Sequence, residues 1–217
     1  MKKAIAVLSS GGLDSSVLLA DLAKNALVYP LYVRAGLSWE NEEYTALQAF
    51  IGALNNSNIQ AITALDLPVQ ALYVNHWSTS GSHIPKKHDP DSKTFLPGRN
   101  ILLLSLAAVW CSLHEVHEIA IGTLRGNTFH DATADFFRQL GKTLSNGLDF
   151  QIEIRAPYRE NYEKEDLIKH FPNLPLQLSM TCMAPKNGKH CGRCNKCGQR
   201  QAGFKAAGIK DLTTYVT

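Results

Sequence analysis

The sequence predicts an α/β protein: a doubly wound, mostly parallel sheet followed by a small cysteine-rich helical segment. Three observations predict it. Short apolar runs alternate with helical stretches through the first 170 residues. The first apolar run, Ala4 to Leu8, passes through Ser9-Ser10-Gly11-Gly12 into a helical stretch. Four of the five cysteines lie within positions 182–197. A body of residues 1–170 and a tail of 171–217 are expected, with a loop-rich insertion at about 66–94.

The elements follow in order. Strands are expected at 4–8, 27–33, 59–65, 118–122 and 150–154, each rich in Val, Ile, Leu or Ala. Helices are expected at 15–24, 41–54, 100–113, 131–145, 164–170 and 198–207. The insertion contains Ser78-Thr79-Ser80-Gly81-Ser82 and Pro85 to Asp91, which favour turns. A loop of that length is read as a lid or as an exposed insertion. In an open parallel sheet a ligand sits beyond the carboxyl ends of the strands. The loop after strand one, Gly122-Thr123 and the segment beginning near Arg34 are expected there.

Bulk composition narrows the setting. Net charge is +3, too small to argue for a nucleic-acid partner, and none is expected. No stretch has the form of a secretion signal or the length of a bilayer span, so a cytoplasmic protein is expected. Positive charge crowds the tail at Lys186, Lys189, Arg193, Lys196, Arg200 and Lys205. This crowd is either a solvated rim or an electropositive wall facing an anion.

The loop after strand one has what phosphate binding needs. Glycines let the backbone approach a polyanion, and the serines supply hydroxyl donors. The following helix start offers free N–H groups and the positive end of its dipole. The common P-loop requires a Gly-Lys-Ser/Thr ending, and no Lys lies between Ser9 and Ser16. Ser10-Gly11-Gly12-Leu13-Asp14-Ser15 instead resembles the Ser-Gly-Gly-x-Asp-Ser loop of the ATP pyrophosphatases, the PP-loop. That resemblance implies an adenine nucleotide α-hydrolase-like fold, cleavage of ATP between its α- and β-phosphates, and an adenylated substrate.

Cys182, Cys191, Cys194 and Cys197 can complete a tetrahedral zinc shell. Cys191 to Cys194 and Cys194 to Cys197 are both Cys-x-x-Cys, the spacing of a knuckle turn. A closed four-thiolate shell is structural, because it leaves no open position for catalysis. An iron–sulfur cluster and a redox pair are the rival readings. Cys111 falls in an apolar helix and reads as a core thiol. His190 is adjacent to Cys191 and is not taken as a ligand, and His83, His88 and His130 are isolated.

Two helix starts carry further chemistry. In Pro97-Gly98-Arg99-Asn100, an arginine stands where the dipole disfavours a cation, which suggests a shared anion. The plainer reading makes Asn100 the N-cap. In Phe129-His130-Asp131-Ala132-Thr133, Asp131 is either an N-cap or an acceptor for a guanine-like N–H edge.

The PP-loop, Pro97 to Asn100, Gly122, the four cysteines and the closing Gly203-Phe204-Lys205-Ala206-Ala207-Gly208 together resemble the 7-cyano-7-deazaguanine synthase family of the queuosine pathway. The likeness runs nearly end to end. It implies that ATP adenylates 7-carboxy-7-deazaguanine, that ammonia gives the amide, and that a second adenylation gives the nitrile. By this resemblance Ser10, Asp14, Ser15 and Lys164 are the catalytic residues. Leu8, Ser9, Ser10, Gly11, Gly12, Leu13, Asp14, Ser15, Ser16, Arg99, Asn100 and Gly122 would bind ATP. Arg99, Phe129 and Asp131 would meet the deazaguanine substrate. ATP, Mg²⁺ and Zn²⁺ are the expected cofactors, and a homodimer without membrane contact is expected.

The sequence departs from the family at three places. Phe129 to Thr133 stands where the family has Tyr-Pro-Asp-Cys-Arg, so only Asp131 is kept. Arg34 to Trp39 replaces Tyr-Gly-Gln-Arg-His, and the run from Ala156 to Lys164 is one residue longer. Three alternatives therefore stand beside the synthase: transfer of the acyl group to another amine, such as a protein amine; a PP-loop tRNA thiolase; and a non-catalytic nucleotide-binding subunit.

Overall fold

The computed structural model describes residues 2–216. Five parallel strands form one sheet in the order β3-β2-β1-β4-β5. They are β1 (Ala4–Leu8), β2 (Leu27–Arg34), β3 (Thr63–Asp66), β4 (Glu118–Ile121) and β5 (Glu153–Arg155). The α-helices are α1 (Leu13–Leu22), α2 (Glu40–Leu54), the one-turn α3 (Trp77–Ser80), α4 (Arg99–Leu113), α5 (Ala134–Leu148), α6 (Lys164–His170) and α7 (Asn195–Ala207). The doubly wound α/β class is therefore correct.

β1 is the central strand, and its alternation shows why. Ile5 and Val7 pack with α1, α6 and Phe204 of α7 on one face. Ala6 and Leu8 pack with α4 and α5 on the other. Both faces are buried, so the strand is apolar throughout rather than alternately polar. Cys111 is a buried member of the second core, as its apolar helix implied. Burial alone pushes its thiol up to about 12.

Several element boundaries differ from expectation. Ile59 makes a single bridge to Val28, and continuous pairing begins only at Thr63. The residues between do not extend the ladder, so the strand expected at 59–65 starts four residues late. Asp131 does not cap α5. It lies in a 3₁₀ turn, His130–Ala132, and Thr133 caps the helix by accepting from the Phe136 N–H at 3.1 Å. Asn100 is not the cap of α4 either; Gly98, at φ 73°, precedes the helix. α7 begins at Asn195 rather than 198, because Cys194 itself is the N-cap.

Strand order reverses between β1 and β4, whose flanking strands run outward in opposite directions. A crevice forms at such a point, because the two following connections leave on opposite faces. Among the described residues no helix is long and apolar enough to cross a membrane.

Candidate active site

The crevice is lined by the loop after β1, the end of β4, the stretch from β2 into α2, the insertion and the start of α4, the connection before α5, the start of α6 and the tail. The loop is wound tightly. Gly12 N–H donates to Ser10 Oγ at 3.3 Å, and Ser10 N–H donates to Ser15 Oγ at 3.2 Å. Ser15 Oγ in turn donates to the Gly12 carbonyl at 3.2 Å. No side chain caps α1. Its first N–H groups therefore stay available to a ligand at the positive end of the helix dipole.

Two glycines make this packing feasible. Gly11 has φ +76°, and a Cβ there would sit 2.2 Å from the Glu43 carbonyl oxygen. A Cβ on Gly122 would sit 3.0 Å from the Ser15 nitrogen, so β4 runs against the loop backbone to backbone.

Lys164, at the start of α6, donates from Nζ to both Asp14 oxygens, at 2.6 and 2.9 Å. The pair lies in the crevice wall, partly shielded from water. Leu8, Ser9, Ser10, Gly12, Leu13, Asp14, Ser15, Gly122, Arg99 and Asn100 also line it. Gly11 and Ser16 do not. Gly11 shapes the turn from behind, and Ser16 is fully buried, with its Oγ unpartnered.

Arg99 and Asp131 both line the crevice. Asp131 accepts the Asn100 N–H through Oδ2 at 3.2 Å, and its carbonyl accepts from Asn100 Nδ2 at 2.8 Å. Asp131 therefore serves the N-terminus of α4, across the chain from the helix it was expected to cap. A carboxylate there complements the helix dipole and the neighbouring arginine. Phe129 lines the crevice and packs on Phe95, with ring centroids 4.9 Å apart.

The segment beginning near Arg34 reaches the crevice through Ala35, Leu37 and Trp39, while other lining residues carried no signal in the sequence. Trp39 and Trp77 stack, with centroids 5.6 Å apart and planes at 13°. Glu43 lies beside them, and burial pushes its carboxyl up to about 8 although Arg99 and a Trp39 hydrogen bond pull it down. Burial and the charge of Glu43 likewise raise Tyr32. Met180 donates its N–H to the Gly11 carbonyl at 2.8 Å, closing the loop from behind. Arg34 points away and stacks over Tyr44 at 4.8 Å.

The four expected thiols converge in a third apolar cluster, which also holds Leu37, Trp39, Leu96, Met180 and Met183. The sulfurs of Cys182, Cys191, Cys194 and Cys197 all lie within 4.8 Å of one another. Cys194 and Cys182 are 3.9 Å apart, and Cys191 and Cys197 are 4.0 Å apart. A tetrahedral shell with the usual zinc–sulfur bond has sulfur edges of about 3.8 Å. The set therefore fits one ion and is too tight to enclose a multi-iron cluster. Backbone N–H groups of Ala184 and Cys191 donate to Cys182 Sγ, and that of Cys194 donates to Cys191 Sγ. Such donors favour thiolates. His190 faces away from the thiols, with Nε2 accepting from the Thr181 N–H at 3.1 Å.

The crowd of tail cations separates in space. Lys186, Lys189, Arg193 and Lys205 are exposed. Arg200 is fully buried and donates to Thr213 Oγ1, Ser179 Oγ and the Leu176 carbonyl at 2.6 to 2.9 Å. Only Lys196 of the six lines the crevice.

The insertion is pinned to the thiol knuckle. Lys87 N–H donates to the Arg193 carbonyl at 2.8 Å, and Asn195 N–H to the Pro85 carbonyl at 2.9 Å. Asn195 Nδ2 reaches both the Asp89 carbonyl and Asp91 Oδ1 at 3.0 Å. The same insertion then supplies Trp77, Thr94, Phe95 and Leu96 to the crevice.

A parallel sheet with a glycine–serine cradle at its switch point defines a class: α/β proteins that hold a phosphate group at a helix N-terminus. The chain belongs to the family described as queuosine biosynthesis protein QueC, whose model matches residues 3–208. It is 32% identical over 228 residues to the 7-cyano-7-deazaguanine synthase of Nitrosomonas eutropha, covering 99% of this chain and 98% of that protein. It is 29% identical to 7-cyano-7-deazaguanine synthase 1 of Desulfitobacterium hafniense, covering 92% and 90%. The synthase of Methanobrevibacter smithii is 29% identical, covering 99% and 98%.

Proposed function

We propose that this protein is an ATP-dependent carbon–nitrogen ligase that converts 7-carboxy-7-deazaguanine to 7-cyano-7-deazaguanine. The observation that carries the reading is the Ser10 to Ser15 cradle at the β1–β4 switch point, in a chain that belongs to the QueC family. The carboxylate attacks the α-phosphorus of ATP, and diphosphate leaves. Ammonia then attacks the acyl carbon and expels AMP, giving the amide. The amide oxygen is adenylated by a second ATP, and loss of AMP with the amide protons leaves the nitrile. Each adenylation turns an oxygen that leaves poorly into one that leaves readily.

The residues have distinct tasks. The free N–H groups of α1, with Ser10 and Ser15, hold the diphosphate where its charge grows. Lys164 balances that charge and is held in place by Asp14. Mg²⁺ accompanying ATP would neutralise the phosphates further. Arg99 attracts the acidic substrate toward the helix start that Asp131 organises. The carboxylate of Asp131 has the acceptor character that a guanine-like N–H edge needs. The thiol knuckle would hold zinc as a structural ion, with no open coordination position.

Purified protein incubated with ATP, Mg²⁺, 7-carboxy-7-deazaguanine and ammonium should release AMP and diphosphate and yield the nitrile by mass. Unchanged acid after long incubation overturns the reading. AMP release with an adduct other than the nitrile overturns ammonia as the acceptor.

A further inference from the structure

The tail places a cation in the crevice that lies outside the Ser10 to Ser15 motif. Lys196 lies between two ligating positions, Cys194 and Cys197, in the first turn of α7. A lysine is unfavourable there, because the N-terminal end of a helix is already positive. Its side chain lines the crevice together with Lys164, Asp14 and Arg99, and the charge of Asp91 also acts on it. Neither acid is free to balance it. Asp14 is engaged through both oxygens by Lys164, and Asp91 accepts from Asn195 Nδ2. Among the described residues Lys196 makes no ion pair, and its Nζ bonds the neutral Gln199 Oε1 at 3.1 Å. Arg99 stands across the same crevice, also outside any ion pair among the described residues. Lys196, Lys164 and Arg99 gather around one space while Asp14 and Asp91 are engaged elsewhere, an arrangement complementary to a polyanion.

We propose that Lys196 binds the diphosphate portion of the nucleotide, so that the four-thiol knuckle sets the position of a phosphate-binding ammonium. This rests on the cradle described above and adds a ligand that comes from the opposite end of the chain. The knuckle is suited to the task. Two ligated cysteines flank Lys196 and fix its backbone, which leaves only the side chain to order on binding. Asn195, the neighbouring residue, is anchored separately to the insertion. The metal site thereby contributes to nucleotide affinity without touching the nucleotide.

The test uses zinc-loaded full-length protein, with inorganic pyrophosphate as the probe in calorimetry. Lys196→Gln should weaken pyrophosphate binding about tenfold, the scale of one charge-assisted contact, with zinc content and melting temperature unchanged. Lys196→Arg should recover most of the loss. In the unmodified protein, pyrophosphate should slow acylation of Lys196 at least fivefold relative to exposed Lys205, read by peptide mass mapping. Wild-type affinity in K196Q, or equal labelling of Lys196 with and without pyrophosphate, overturns the proposal. If Asp14→Ala and Ser15→Ala weaken binding while K196Q does not, the cradle stands and Lys196 falls alone. If the parent protein takes up no pyrophosphate, both readings fall.

Discussion

The two sides of the crevice are built in different ways. The side proposed to hold nucleotide is made largely of contiguous chain: β1, the turn through Gly12 and the first turn of α1. The side proposed to hold the acceptor is assembled from distant pieces. Trp39 comes from the segment after β2, Trp77 and Phe95 from the insertion, and Phe129 and Asp131 from the connection before α5. Those pieces are held by cross-links such as Asn195 to Asp91 and Asn100 to Asp131. A cradle made from neighbours is fixed by local geometry. A wall made from strangers is only as firm as the knuckle behind it.

Metal removal should separate the two sides most strongly. Stripping zinc should raise hydrogen exchange across residues 85–96 and 180–198 by several orders of magnitude, while amides of β1 keep most of their protection. Equal loss in both regions would break the contrast. Gly11→Ala is the complementary lesion. A Cβ at φ +76° and 2.2 Å from the Glu43 carbonyl must displace the loop. Calorimetry should show nucleotide affinity falling at least tenfold, with zinc retained.

Asn195→Ala should have a smaller, local effect. It removes both side-chain bonds to the insertion and leaves the backbone bonds Lys87 to Arg193 and Asn195 to Pro85, costing about 1–3 kcal/mol, and should raise exchange at residues 85–94 without changing pyrophosphate affinity. Denaturant unfolding with no loss of stability would show the anchors to be idle.

Glu43→Gln should give the smallest effect, because Glu43 is only partly buried and solvent screens its charge, and one that depends on pH. Glu43 is raised above its unfolded value, to about 8. Between roughly pH 4.5 and 8 the native state keeps a proton that the unfolded chain has lost, so stability falls as pH rises through that window. The glutamine variant escapes that loss. Its melting temperature should exceed the parent's by a few degrees, about 2–4 °C per kcal/mol, at pH 8.5, and the gap should shrink toward pH 5. A gap independent of pH would mean that Glu43 is ionised throughout.

The same contrast explains what could be read from residues alone. β1, the cradle, α6 and the four thiols were legible because each is signalled by near neighbours: an apolar run, paired glycines, cysteines two residues apart. The role of Asp131 was not. A carboxylate just before a helical run reads as that helix's cap, yet here it crosses to α4 and Thr133 takes the cap. Lys196 was visible only as one of six tail cations, and nothing in their spacing separated it from Arg200, which is buried in structural bonds. Trp39 lies in the segment after β2 that was expected at the crevice, but its stacking on Trp77 gave no signal, because it joins a helix start to an insertion whose path the sequence leaves open.

The bond from Met180 to Gly11 has a consequence during synthesis. When a ribosome has made β1 and α1, the first turn exists, but its backing, Lys164 and the knuckle have not yet emerged. On the proposed function, ATP therefore meets only a partial receptor until the final stretch is translated and docks. Nucleotide capture by ribosome-bound chains should switch on late, once the cysteine-rich stretch clears the exit tunnel.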